Sequence, residues 1–262
     1  MPNIISTCSS IINLKLFNND IKYKKKIAFI IGTNYKNYNK FKLNGPNNDT
    51  CNINNLLINH FNYNSEYIYI YNDTTLIKPT KQNILNKFNE ILQEINSIDT
   101  IFFYFSGHGY INYLLTCDLQ HLFNYEIVNT FIDKIPPNIK FYGIFDCCHS
   151  ENFLSLNNYW FNNVWYNYNN YGVTNKWYKY FNNKKIINII IISACSKYES
   201  TIEYTDQGIF TKTIIDYINS NKDILWSGLM NQLKKIYKNN GLYQTPIIAS
   251  TKQFDLNEKI YF

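Results

Sequence analysis

Apolar and polar positions fall into blocks along this chain, and the blocks are of two kinds. Short apolar runs bounded by polar residues predict buried strands over 26–32, 66–71, 99–105, 140–145, 186–193 and 246–250. Between them, Ile53, Leu56, Leu57 and Phe61 recur at helical spacing over 49–61. Ile84, Leu85, Phe88, Ile91, Leu92 and Ile95 mark one face of a helix opened by Pro79-Thr80. Further helices are expected around 126–134, 211–218 and 225–237, the first ended by Pro136-Pro137. Strand and helix alternate, which predicts an α/β fold: a mostly parallel six-stranded sheet with helices on both faces. From 150 to 185 the sequence is rich in Asn and aromatic residues and has no clean period. A connection of that length inside one domain is usually functional.

A chain of 262 residues suffices for one well-packed domain, expected over 23–262 after a short arm, 1–22. All 25 basic residues are lysine, and Asn, Ile, Lys, Tyr and Phe are over-used, the bias of an A+T-rich genome. The net charge of +6 is modest and scattered. The triplet Lys24-Lys25-Lys26 reads as the solvated entry of the first strand, so no nucleic-acid partner is expected. No apolar run reaches the roughly 18 residues of a membrane helix, and Ile4 to Phe17 lacks a basic n-region and a small-residue cleavage site. A cytoplasmic protein without a membrane partner is the expectation. The six cysteines show neither a CxxC pair nor framework spacing, which fits reduced thiols. Cys147, Cys148 and His149 do not suggest zinc, because adjacent strand residues point to opposite faces.

Two runs carry the chemistry. Ile101 to Gly109 (IFFYFSGHG) and Phe141 to Ser150 (FYGIFDCCHS) are buried strands that end abruptly in small and polar residues. In an open parallel sheet, the carboxyl edge of neighbouring strands is where a site forms. One strand delivers His108 and the other a cysteine. Side chains two apart face the same way, so Ser106 goes with His108 and Asp146 with Cys148, while Cys147 faces the other side. Cys148 is therefore the candidate nucleophile and His108 its base, since a thiol attacks only as thiolate. The Gly109 and Cys148 N–H groups are candidates for an oxyanion hole.

These motifs resemble those of metacaspases, caspase-like cysteine peptidases of family C14 in clan CD. The histidine block resembles Y-S-G-H-G, and Asp146-Cys147-Cys148-His149-Ser150 resembles D-x-C-H-S. KKIAFIIGTNY resembles the family's first strand, and Leu43 to Asp49 stands where the family has L-x-G-C-x-N-D. Ser193 to Ser200, Gly208 to Thr211 and Gln244-Thr-Pro246 resemble its C-terminal portion. The resemblance implies a caspase-like domain divided into a large part, 23–149, a linker or lid, 150–185, and a small part, 186–262. It implies a monomeric endopeptidase, of a family tied to programmed cell death, acting on proteins or peptides at Lys or Arg in P1. Asp49, Ser106 and Asp146 match its S1 pocket, although Asp49 can also be read as a helix N-cap.

Departures bear on the expectations. Glu151 replaces the glycine after H-S and either raises the thiol's pKa or extends an acidic subsite. Pro46 replaces the pocket cysteine, and Tyr110 stands where glycine is common. The acidic insert that holds calcium in many metacaspases is absent after His108, and the later ligand position is Ser155, so calcium dependence is expected to be weak or absent and no other cofactor is implied. If the enzyme cuts its own linker, Lys176, Lys179, Lys184 and Lys185 are the candidate bonds. The alternatives are an uncut linker, an inactive caspase-like binding or decoy module, or a legumain-like peptidase cutting after asparagine, which the acidic pocket disfavours.

Overall fold

The computed structural model describes residues 25–167, 187–204 and 206–262. The expected arm and the four linker lysines lie outside them. All six expected strands form: β1 (Lys25–Gly32), β2 (Ile68–Tyr71), β3 (Ile98–Ser106), a central β7 (Lys140–Asp146), β10 (Asn188–Ser193) and β13 (Ile247–Ser250). The first five run parallel and β13 runs antiparallel to β10.

The stretch after 150 departs from its aperiodic reading. It contains a hairpin, β8 (Asn158–Phe161) and β9 (Val164–Asn167), that extends the sheet to eight strands in the order β2-β1-β3-β7-β10-β13-β8-β9. Its two-residue turn, Asn162-Asn163, has φ of 47° and 67°, the left-handed pair that Asn tolerates and that matches strand twist. Asn158 and Trp160 are buried, and Tyr159 and Phe161 are half-buried, the alternation of a sheet edge.

Helices cover both faces. Helices α1 (Pro46–Phe61), α4 (Ile209–Ser220) and α5 (Trp226–Asn239) pack Ile53, Leu57, Phe210, Ile214, Leu229 and Leu233 against Ile30, Tyr104, Ile144 and Ile192. Helices α2 (Lys81–Gln93) and α3 (Asn124–Thr130) close the other face on Phe29, Phe103, Phe105 and Phe145. Each such buried side chain stabilises by about 1.5–3 kcal/mol. Thr80 caps α2 by accepting the Asn83 N–H, and Lys25 and Lys26 are taken up by Glu94 and by the Phe61 and Phe262 carbonyls, in keeping with a strand entry. A small three-stranded sheet, β4 (Gly109–Tyr110), β5 (Tyr113–Leu115) and β6 (His121–Phe123), leaves the main sheet after β3, and β11 (Glu203–Tyr204) pairs with β12 (Gln207–Gly208) ahead of α4. No described helix is long and apolar enough to cross a membrane.

Candidate active site

The central strands β3 and β7 are neighbours in register, with Ser106 opposite Asp146 at their carboxyl ends. Beyond that pair the chains part but stay in contact. An ideal Cβ on Gly109 would lie 2.5 Å from the Cys148 carbonyl oxygen and 2.6 Å from Cys147 Sγ, so only glycine lets the histidine turn lie on the cysteine turn. Residues 40 apart in sequence thus share one edge.

His108 is held by residues that the strand pattern did not single out. Its Nε2 lies 2.8 Å from the Phe41 carbonyl oxygen, and its ring lies 4.9 Å from that of Tyr35. Tyr35 is buried, and its hydroxyl accepts the His108 N–H while donating to the Leu115 carbonyl. Burial pushes the Tyr35 phenol far up, so this bridge stays neutral. A carbonyl accepts only, so Nε2 carries the proton and Nδ1 is the basic nitrogen. The one sequence signal for Tyr35 was its place in the KKIAFIIGTNY run. Phe41 acts through its backbone and left none.

Cys148 is half-buried, and its sulfur accepts the Thr201 N–H at 3.4 Å. Cys147 is wholly buried, as strand alternation requires, and burial drives its thiol far above the ordinary range. The loop after β10 steadies the cysteine turn. His149, in the left-handed region at φ 56°, donates its N–H to the Glu199 carbonyl, and its Nδ1 lies 2.7 Å from the Lys197 carbonyl. The Glu199 carboxylate accepts the N–H groups of Ser196 and Thr245 and the Thr245 hydroxyl. Gln244-Thr-Pro246 therefore bears on the site through Glu199. The Glu151 carboxylate accepts the Lys197 N–H, so it too points to this loop.

Asp49, Ser106 and Asp146 also come together. Gly32, level with Ser106 in β1, allows α1 to approach: a Cβ there would stand 2.4 Å from the Pro46 carbonyl oxygen. One helical turn on, Asp49 is fully buried and accepts the Ser106 hydroxyl at 2.9 Å and the Gly208 N–H at 3.1 Å. The N-cap reading is corrected here: the cap position is Gly45, and the Asp49 carboxylate turns from the helix end to these donors. Asp146 accepts the N–H and hydroxyl of Thr211. An ideal Cβ on Gly208 would lie 2.2 Å from Asp146 Oδ2 and 3.2 Å from Asp49 Oδ2, so the carboxyls converge on one glycine. No ion pair among the described residues reaches either. Burial first, and for Asp49 then the Asp146 charge, push both up, Asp49 to about 8 and Asp146 to about 6.

A family model described as metacaspase, peptidase C14 domain, matches residues 25–157. Metacaspase-1A of Neurospora crassa is 28% identical over 151 residues, covering 50% of this chain and 33% of the fungal protein. Metacaspase-1A of Aspergillus niger is 29% identical over 151 residues, covering 50% and 37%. The match thus spans about a third of each relative's length. Among solved structures, caspase-1 of Spodoptera frugiperda superposes with a TM-score of 0.58 at 14% identity, covering 87% of each chain. A Geobacter sulfurreducens protein does so with 0.62 at 15%, covering 90% of this chain and 98% of its own. At those identities the likeness is one of fold: caspase-like.

Proposed function

Because this chain belongs to the metacaspase family of C14 peptidases, we propose that it is a cysteine endopeptidase that hydrolyses peptide bonds after lysine or arginine with His108 and Cys148. The observation that carries the reading is the contact of the Gly109 and Cys148 turns, beside an imidazole whose Nε2 faces the Phe41 carbonyl. In this reading Nδ1 of His108 takes the thiol proton, and the Thr201 N–H, which donates to the sulfur at 3.4 Å, helps to orient it. The sulfur adds to the substrate carbonyl, and the Gly109 and Cys148 amides receive the developing oxyanion. The C–N bond breaks as His108 returns the proton to the leaving amine. Water, deprotonated by His108, then cleaves the thioester and restores the thiol.

Specificity rests on the acidic pair. Asp49 and Asp146 are buried with neutral donors and, among the described residues, no cation, an arrangement that gains most from an incoming ammonium or guanidinium. Calcium is not required in this proposal. Asp118, the first carboxylate after His108, is engaged by the Thr116 hydroxyl and the Lys81 N–H, and no described group of three or more His, Cys, Asp or Glu residues is arranged to hold a metal. Fluorogenic peptides ending in Arg, Lys, Asp or Asn test the reading. Release after Arg or Lys by the wild type, lost in Cys148→Ala, is expected. No release from any of them by folded protein would favour a binding module instead.

A further inference from the structure

Resting on the peptidase reading, we propose that the exposed aromatic face of the small sheet β4–β6 is the subsite for residues following the cleaved bond. It selects aromatic residues there, and its occupant is this chain's own linker at the bonds after Lys176 and Lys179.

The face follows from the register. Tyr110 pairs with Tyr113 and Tyr113 with Phe123, so these rings share one face with His121, while Leu114 and Leu122 fall on the other and are wholly buried. The rings form a continuous stack: Tyr110 on Tyr113 at 4.9 Å and 20°, and Tyr113 on His121 at 4.1 Å and 22°. Tyr110 also lies nearly parallel to the ring of His149, at 6.4 Å and 23°, so the stack reaches the residue next to Cys148. Tyr110 is 37% exposed and its neighbour Ile111 39%.

The direction follows from the chemistry. Asp49 and Asp146 lie on the side of the sheet covered by α1 and α4, since Thr211 of α4 holds Asp146. Leu114 and Leu122 belong to the core on the opposite side, and Cys147 belongs to that same core. A substrate side chain in the acidic pocket therefore places its peptide bond at Cys148, between the two layers. The leaving amine takes its proton from His108, so the residues after the bond depart on the His108 side, and the chain that follows His108 is Gly109-Tyr110.

The occupant is read from the sequence joining β9 to β10. Lys176 is followed by Trp177-Tyr178, and Lys179 by Tyr180-Phe181, so each bond presents two rings. Lys184 and Lys185 are followed by Lys185 and Ile186 and present none. Hydrolysis after Lys176 or Lys179 would leave a new amino terminus at Trp177 or Tyr180.

The test uses the full chain carrying Cys148→Ala and two peptides: residues 172–178 as they stand, and the same peptide with Trp177→Gly and Tyr178→Gly. The first is expected to bind about fivefold tighter, the size of one good ring–ring contact. That ratio should fall toward one when Tyr110→Gly or Tyr113→Ala is added. A purely structural role for the rings would weaken both peptides alike and leave the ratio unchanged; that result, or equal affinities at the outset, overturns the proposal. In parallel, wild-type protein is incubated with the Cys148→Ala chain and new termini are read by mass spectrometry. Termini at Trp177 or Tyr180 support the assignment, and a first cut after Lys184 or Lys185 overturns it. No cut in the linker by protein that still cleaves fluorogenic lysine peptides overturns the linker as occupant. If those peptides are also left whole while the affinity ratio holds with the rings intact and falls in the ring variants, the peptidase reading fails and the aromatic subsite stands.

Discussion

Gly109 and Cys148 touch through their backbones, with 2.5 Å between the Cys148 carbonyl oxygen and the place a Cβ would occupy on Gly109. Both are main-chain features, so no side-chain adjustment can relieve a substitution there. Gly109→Ala is expected to keep the fold, by circular dichroism, and to lower kcat at least about tenfold, the effect of moving reacting groups by a fraction of an ångström. Retention of wild-type kcat would show that the two turns need not touch.

The acidic pair gives the protein two opposed pH dependences. In the unfolded chain these carboxyls titrate near 4, whereas burial raises both in the folded state, Asp49 to about 8 and Asp146 to about 6. Between about pH 4 and 8 the folded state therefore holds more protons, and its stability without substrate falls as pH rises. Binding of a cationic P1 residue needs the charged forms, so kcat/KM for lysine substrates should rise over the same window. Asp49→Asn is expected to raise the melting temperature at pH 8 while lowering cleavage after lysine by more than about a hundredfold, the loss of one buried ion pair. A melting temperature unchanged at pH 8 would refute the buried-charge account.

Tyr35 joins the histidine turn to the strand beyond it through one hydroxyl. Tyr35→Phe leaves the buried Leu115 carbonyl and the His108 N–H without that partner, at a cost of about 1–3 kcal/mol. Urea denaturation should show that loss, together with a lower kcat at little-changed KM. If stability drops but kcat does not, the hydroxyl serves the fold alone.

The two adjacent cysteines should separate cleanly. Cys147→Ala removes a buried sulfur and is expected to destabilise by about 1 kcal/mol with hydrolysis retained. Cys148→Ala is expected to abolish hydrolysis with the melting temperature within a few degrees of wild type. The reverse pattern would exchange their roles.

Hydrolysis is expected to be the same in millimolar calcium and in excess chelator, since Ser155 offers no carboxylate and Asp118 is already engaged. A rate that depends on calcium would point to ligands outside the described residues.

Much of this molecule was written in local pattern. Unbroken apolar runs located the six strands, helical spacing located Ile84, Phe88 and Ile91, and two-residue alternation put Cys147 in the core and Cys148 beside it, because burial and the strand period act on each residue where it stands. The hairpin over Asn158–Asn167 was also legible, in aromatic pairs on either side of Asn162-Asn163, but the surrounding Asn-rich sequence masked the turn signal. Only the tertiary structure decided the rest. Phe41 reaches His108 through a carbonyl that every residue possesses, Thr201 reaches Cys148 through an amide, and Gly208 earns its place by lacking a side chain above Asp49 and Asp146. Contacts made by the backbone carry no residue signature. They exist only once the sheet order has brought distant segments to the same edge.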